Sequence, residues 1–141
     1  MIIFRNVLAV IGGWLIGSVV NLSLINLGNS LYPIEGLAIN DMEAFAAIMP
    51  TLSAEYFIFP FLAHALGTFT GSIAAGLIAA NRKQTFALVI GGLFLVGGLA
   101  INYILSGPVW FTILDLVIAY IPMAILGWLL ISKLVLKKTV K

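Results

Sequence analysis

Four apolar runs decide what this chain can fold into. They extend roughly from Val7 to Leu27, Tyr56 to Ala80, Phe86 to Leu105 and Val109 to Ile131. A helix needs about 20 mostly apolar residues to cross the hydrocarbon layer of a bilayer, and each run has that length. Lipid offers the backbone no hydrogen-bond partner, so such a run must satisfy its own N–H and C=O groups as a helix. The expected fold is all-α: an integral membrane up-down bundle of four helices, built from residues 1–141 as a single transmembrane domain. With 62% hydrophobic and 9% charged residues, a water-soluble core could not hide the apolar surface. The first run is read as a retained helix, because its length exceeds the 7–15 residues usual for the apolar part of a signal peptide.

The basic residues orient the bundle. Arg5 precedes the first run, Arg82 and Lys83 sit between the second and third, and Lys133, Lys137, Lys138 and Lys141 follow the fourth. The other two connections hold none of the seven. Lysine and arginine in short loops stay cytoplasmic, so the expected topology is N-in/C-in. The net charge of +2 reflects these anchors. No groove-reading motif accompanies them, so nucleic acid is not an expected partner.

The outer loop, about residues 28–53, is the longest connection. Asn29-Ser30 and Tyr32-Pro33 are expected to end the first helix, since a residue before proline avoids helical geometry. Asn40 with Glu43 resembles an N-cap pair. Met42, Phe45 and Met49 then share one face before Pro50. This pattern predicts a short interfacial helix in the outer headgroup layer, the alternative being a polar lid loop. The second outer connection, Ser106-Gly107-Pro108, makes a tight hairpin of the last two helices. Tyr32, Tyr56, Tyr103, Trp110 and Trp128 fall near the expected interfaces, where amphipathic rings are favoured. Val10-Ile11-Gly12-Gly13 and Val89-Ile90-Gly91-Gly92 form a faint internal repeat.

Membrane helices associate through close packing and polar contacts, so small residues mark the contact faces. Gly13, Gly17 and Asn21 share a face of the first helix. His64, Thr68, Gly71 and Ala75 share one on the second, where Gly67 and Gly71 form a GxxxG pair. Gly91, Gly98 and Asn102 mark the third, and Asp115, Ala119 and Pro122 the fourth. The most polar residues of the spans, His64, Asp115, Asn21 and Asn102, are thus expected inside the bundle, and Glu55 at the outer end of the second helix. At 1.5 Å per residue all five fall in the outer half. Pro60 and Pro122 are expected to free the carbonyls of Tyr56 and Ile118 and to kink their helices there.

This polar cluster, His64, Asp115, Asn21, Asn102 and Glu55, is the candidate ligand-binding site, and two readings of it remain. In one it is interhelical glue in a structural or partner-binding membrane component. In the other it lines an outward-facing polar pocket of a small oligomeric transporter or sensor, suited to a cation, a proton or an amine-bearing ligand. Catalytic and metal assignments are none: there is no cysteine, no HExxH, no nucleophile elbow and no phosphate loop. No cofactor is expected. The partners expected are the lipid bilayer and, through the small-residue faces, a second copy or another membrane protein.

Leu31-Tyr32-Pro33 after the first helix, and His64-Ala65-Leu66-Gly67-Thr68 running into Gly71, resemble a loose group of small uncharacterised bacterial four-helix inner-membrane proteins. The resemblance implies a multi-pass protein of the bacterial inner membrane. It supplies no activity.

Overall fold

The computed structural model describes residues 1–34 and 41–139, with side chains through Lys133. Six α-helices occur among them: α1 (Ile2–Leu31), α2 (Met42–Ile48), α3 (Ile58–Ile78), α4 (Lys83–Leu105), α5 (Val109–Ile118) and α6 (Ile121–Thr139). Four stretches are long and apolar enough to cross a membrane: α1, α3 with the 3-10 turn before it, α4, and α5 joined to α6. One end of the bundle carries Arg5, Arg82, Lys83 and Lys133 (the basic end). The other carries α2 (the loop end).

Helix α1 is longer than its apolar run. It continues through Asn29 and Ser30, where a stop is expected. Ser30 Oγ bonds back to the Asn26 carbonyl at 3.0 Å, an intrahelical partner that lets a serine remain in the helix. The helix ends before Pro33, with Tyr32 outside helical geometry. The short helix expected in the loop is present as α2. Its cap is Asp41, whose carboxylate accepts from the Ala44 N–H at 3.0 Å. The expected cap, Asn40, lies outside the described residues.

The two prolines behave differently from one another, and only Pro60 departs from expectation. Pro60 falls in the first turn of α3, after a 3-10 turn over Ala54–Phe57. N–H groups there have no intrahelical acceptor, so proline removes no bond and no kink follows. Pro122 is the second residue of α6. The fourth span is interrupted at Ala119–Tyr120 and resumes at Ile121, so it is two helices in tandem.

Helix α3 is the centre of the bundle. Helices α1, α4 and α6 all pack against it, and α4 also meets α1 and α6. Glycine makes the closest approaches possible. A Cβ on Gly13 would stand 2.8 Å from the Gly71 carbonyl, and one on Gly17 would stand 2.6 Å from the Gly67 carbonyl. Helices α1 and α3 therefore interlock backbone to backbone through Gly13, Gly17, Gly67 and Gly71, the expected faces. On the other side of the bundle, a Cβ on Gly91 would stand 2.6 Å from Ala124 Cβ. Among the described residues these faces are filled from within the chain. Gly92 and Gly97, by contrast, have open space beside them.

The basic end is tied together by hydrogen bonds. Lys83 Nζ donates to the carbonyls of Ala79 at 2.7 Å and Gly76 at 3.0 Å, and Arg5 Nη2 donates to the Ile78 carbonyl at 3.0 Å. Two cations thus close the last turn of α3, whose carbonyls carry the negative end of the helix dipole. Asn6 adds bonds to Asn81 at 2.9 Å and to the Ala80 N–H at 3.0 Å. Arg82 turns the chain in the left-handed region, φ 42°.

Candidate functional site

The polar residues of the spans gather between α3, α4 and the two halves of the fourth span. Asp115, on the last turns of α5, is fully buried. His64 Nδ1 lies 2.8 Å from its Oδ1 and 3.0 Å from its Oδ2. Tyr120 donates its hydroxyl to Oδ2 at 2.8 Å, and Asn102 Nδ2 reaches the same oxygen at 3.3 Å. Asn102 in turn donates to the Gly98 carbonyl at 2.9 Å, and its Oδ1 accepts from Thr112 at 3.1 Å. A carboxylate only accepts, so its three partners donate. That assigns a proton to His64 Nδ1 and leaves Nε2 as the ring nitrogen outside the network.

The network has a local cause in the chain. In an unbroken helix Asp115 and Tyr120, five residues apart, would point about 140° from one another. The interruption at Ala119–Tyr120 turns the Tyr120 side chain back beneath Asp115. There it needs space, which Gly98 provides: any side chain at Gly98 would collide with the Tyr120 ring. The His64 ring packs on Tyr120 with centroids 5.6 Å apart. Among the described residues no buried side-chain nitrogen or oxygen lacks a partner, as a low-dielectric interior demands.

Above the level where Gly17 meets Phe94, the bundle holds a partly open cavity of about 460 Å³. Asn21, Ile25, Asn29 and Tyr32 of α1 form one wall. Phe59 and His64 of α3 form the second, and Ile101, Asn102 and Leu105 of α4 the third. Met42 and Phe45 of α2, with Met49 after it, lie over it as a roof. Tyr32 also meets Tyr56 and Phe59, each at 6.1 Å between ring centroids. Met49 joins Phe57 and Phe111 in a small apolar core that anchors the roof to the bundle.

The expected cluster is thus partly assembled. His64, Asp115 and Asn102 are in direct contact. Asn21 lies beside Gly67, one turn deeper than His64, and faces the same cavity. Glu55 takes no part: it is exposed on the 3-10 turn before α3 and does not line the cavity. Asp115 does not line it either, because His64 stands between. The space is accordingly far more apolar than a polar pocket with two facing acids. Sequence reasoning missed Tyr120 and Thr112. A tyrosine beside Pro122 in the middle of a span was the available signal, since a buried tyrosine hydroxyl needs a partner.

No family model matches the chain, and neither a curated protein nor a solved structure matches it.

Proposed function

We propose that this is a multi-pass membrane protein that binds a small molecule in the chamber under α2, as a sensor or carrier. The observation that supports this most is the disposition of His64. Its Nδ1 is held by a sealed carboxylate, while its side chain, 15% exposed, borders the cavity, as does Asn102 of the same network. A buried network holds Nδ1 in place, and the ring borders a largely apolar space with Nε2 as its remaining polar atom. Ligand sites of this kind are mostly apolar, with a few placed polar groups, and range over about 300–1,000 Å³. The cavity's size and lining fit that description.

The same network supports the structural reading as well. It joins α3, α4, α5 and the start of the second half-span through one carboxylate, and such interhelical bonds are worth about 0.6–2 kcal/mol each. The two roles are compatible: the network fastens the helices, and its open edge recognises the ligand.

The test is native mass spectrometry of protein extracted from its membrane. The expected result is a non-covalent adduct on the order of a few hundred daltons. Ile25→Trp, which fills the chamber from α1, should lose it. Retention of the adduct by Ile25→Trp would reject the chamber as its site. The absence of any adduct, together with no thermal stabilisation in a broad screen of small molecules, would reject the reading altogether.

In the bilayer the basic end faces the cytoplasm, the chamber faces outward, and α2 lies in the outer interface. The seven basic residues, all flanking the same ends of the spans in the sequence, motivate this orientation. The chain has no cysteine, so single substitutions report cleanly. Glu43→Cys should react with an impermeant maleimide on intact cells, and Gln84→Cys only after permeabilisation. Both positions are exposed. Labelling of Gln84→Cys in intact cells would invert the topology.

A further inference from the structure

The atoms that face the chamber restrict the chemistry of what it can hold. His64 lines the chamber with Nδ1 taken by Asp115, which leaves Nε2 as its remaining polar atom. Asn21 and Asn29 contribute side-chain amides that bond no other described residue, and they are open to the chamber rather than sealed in protein. Asn102 also lines the chamber, with its amide engaged by Gly98, Asp115 and Thr112, and Tyr32 and Tyr56 bring phenol rings; the rest of the lining is aromatic and aliphatic. Among the described residues no carboxylate and no basic side chain lines the space. Arg5, Arg82, Lys83 and Lys133 stand toward the basic end, and two of them are bonded to the carbonyls of α3. Asp115 is screened by His64.

Each feature excludes one kind of ligand and favours another. A phosphate or sulfate head would be desolvated here without a lysine or arginine to neutralise it, which is costly in an apolar space. An ammonium head would meet no carboxylate among the described residues. An apolar molecule with no polar group would leave the His64 nitrogen and two amides unpaired. A hydroxyl satisfies both sides, since it donates once and accepts through its lone pairs. The carboxylate behind the imidazole strengthens Nε2 as an acceptor, because negative charge at Nδ1–H polarises the ring toward its far nitrogen.

A groove of about 310 Å³ on the outside of the bundle is lined by Phe57, Phe61, Trp110, Phe111 and Leu114, among others. Phe111 lines both the groove and the chamber.

We propose that the chamber takes a membrane-dissolved amphiphile whose head is an uncharged hydroxyl, donating to His64 Nε2 and accepting from the Asn21 amide. This inference rests on the chamber being a ligand site. The apolar body lies among the rings beneath α2, on the side of Phe111.

The experiment uses the full chain in phosphatidylcholine nanodiscs, titrated with dodecanol, dodecyl phosphate and dodecylamine. These share one tail and differ in the charge of the head. Dodecanol should raise the melting temperature saturably by several degrees, as expected when a ligand binds only the folded state. His64→Phe should abolish the rise. Asn21→Leu, nearly the same shape and outside the Asp115 network, should weaken the apparent affinity roughly tenfold. It serves as the probe should His64→Phe fail to fold. A saturable rise that depends on these residues with dodecyl phosphate or dodecylamine, but not with dodecanol, would overturn the uncharged head and leave the chamber as a ligand site. A dodecanol effect equal in wild type and both variants would be partition into lipid and would overturn the proposal. No residue-dependent effect with any of the three, and no adduct on the extracted protein, would overturn the chamber reading too.

Discussion

Gly71→Leu should be the most damaging single substitution in the bundle, lowering stability by about 3 kcal/mol or more. A Cβ alone at Gly71 would stand 2.6 Å from the Gly13 carbonyl, 3.1 Å from Ile90 Cγ2 and 3.3 Å from Gly17 Cα. Two of those three atoms are backbone, so no rotamer change relieves the clash. Helix α1 would have to move away from α3, losing the contact that holds it, since α1 packs chiefly there. Without a hydrophobic drive between helices in lipid, nothing replaces that close packing. Leu77→Phe is the control. Leu77 lies near the end of the same helix with half of its surface exposed, so a larger ring has room to turn outward. Its substitution should stay within about 0.5 kcal/mol. Thermal melts of both variants in one detergent decide the matter, and equal melting temperatures would mean that the α1–α3 contact contributes little.

The second large effect belongs to the His64–Asp115 pair. His64→Ala removes a donor 2.8 Å from a carboxylate that has no exposure to solvent, leaving Tyr120 and Asn102 to hold it. Removing one member of a buried pair is costly because the other charge stays behind. The expected loss is about 2–3 kcal/mol. Asp115→Ala should cost a similar amount, because it leaves three donors facing a void. The double variant should be more stable than the sum of the two losses implies, with a coupling of about 1–2 kcal/mol. Additivity within about 0.3 kcal/mol would show that the two side chains contribute independently, despite standing 2.8 Å apart.

The helices were legible in the chain because each apolar run has the length and composition that a bilayer-spanning helix requires, and a helix is the one structure in which such a run satisfies its own backbone. The contact faces were legible for a related reason. Where lipid matches any apolar side chain, only small residues allow backbones to approach, so Gly13, Gly17, Gly67 and Gly71 announced their partners' closeness. The inward placement of His64, Asp115 and Asn102 was expected from the cost of leaving polar groups on an apolar helix surface.

What the chain alone left open was how one helix is rotated and shifted against another. A stripe of residues says which side faces inward, but not which atom across the gap it meets. Glu55 shares the loop end with the cluster, yet its turn places it outside. Tyr120 would sit about 140° from Asp115 on an ideal helix, and only the interruption before Pro122 brings its hydroxyl to 2.8 Å. The chamber is decided at the same level. Helices α1 and α4 touch at Gly17 and Phe94, and above that point α2 covers the space between them. Periodicity carries no information about that gap, because it is a property of three helices and a loop together. The lengths, the faces and the basic end were fixed by one-dimensional pattern against a planar solvent; the histidine's partner and the space in front of it were fixed by packing.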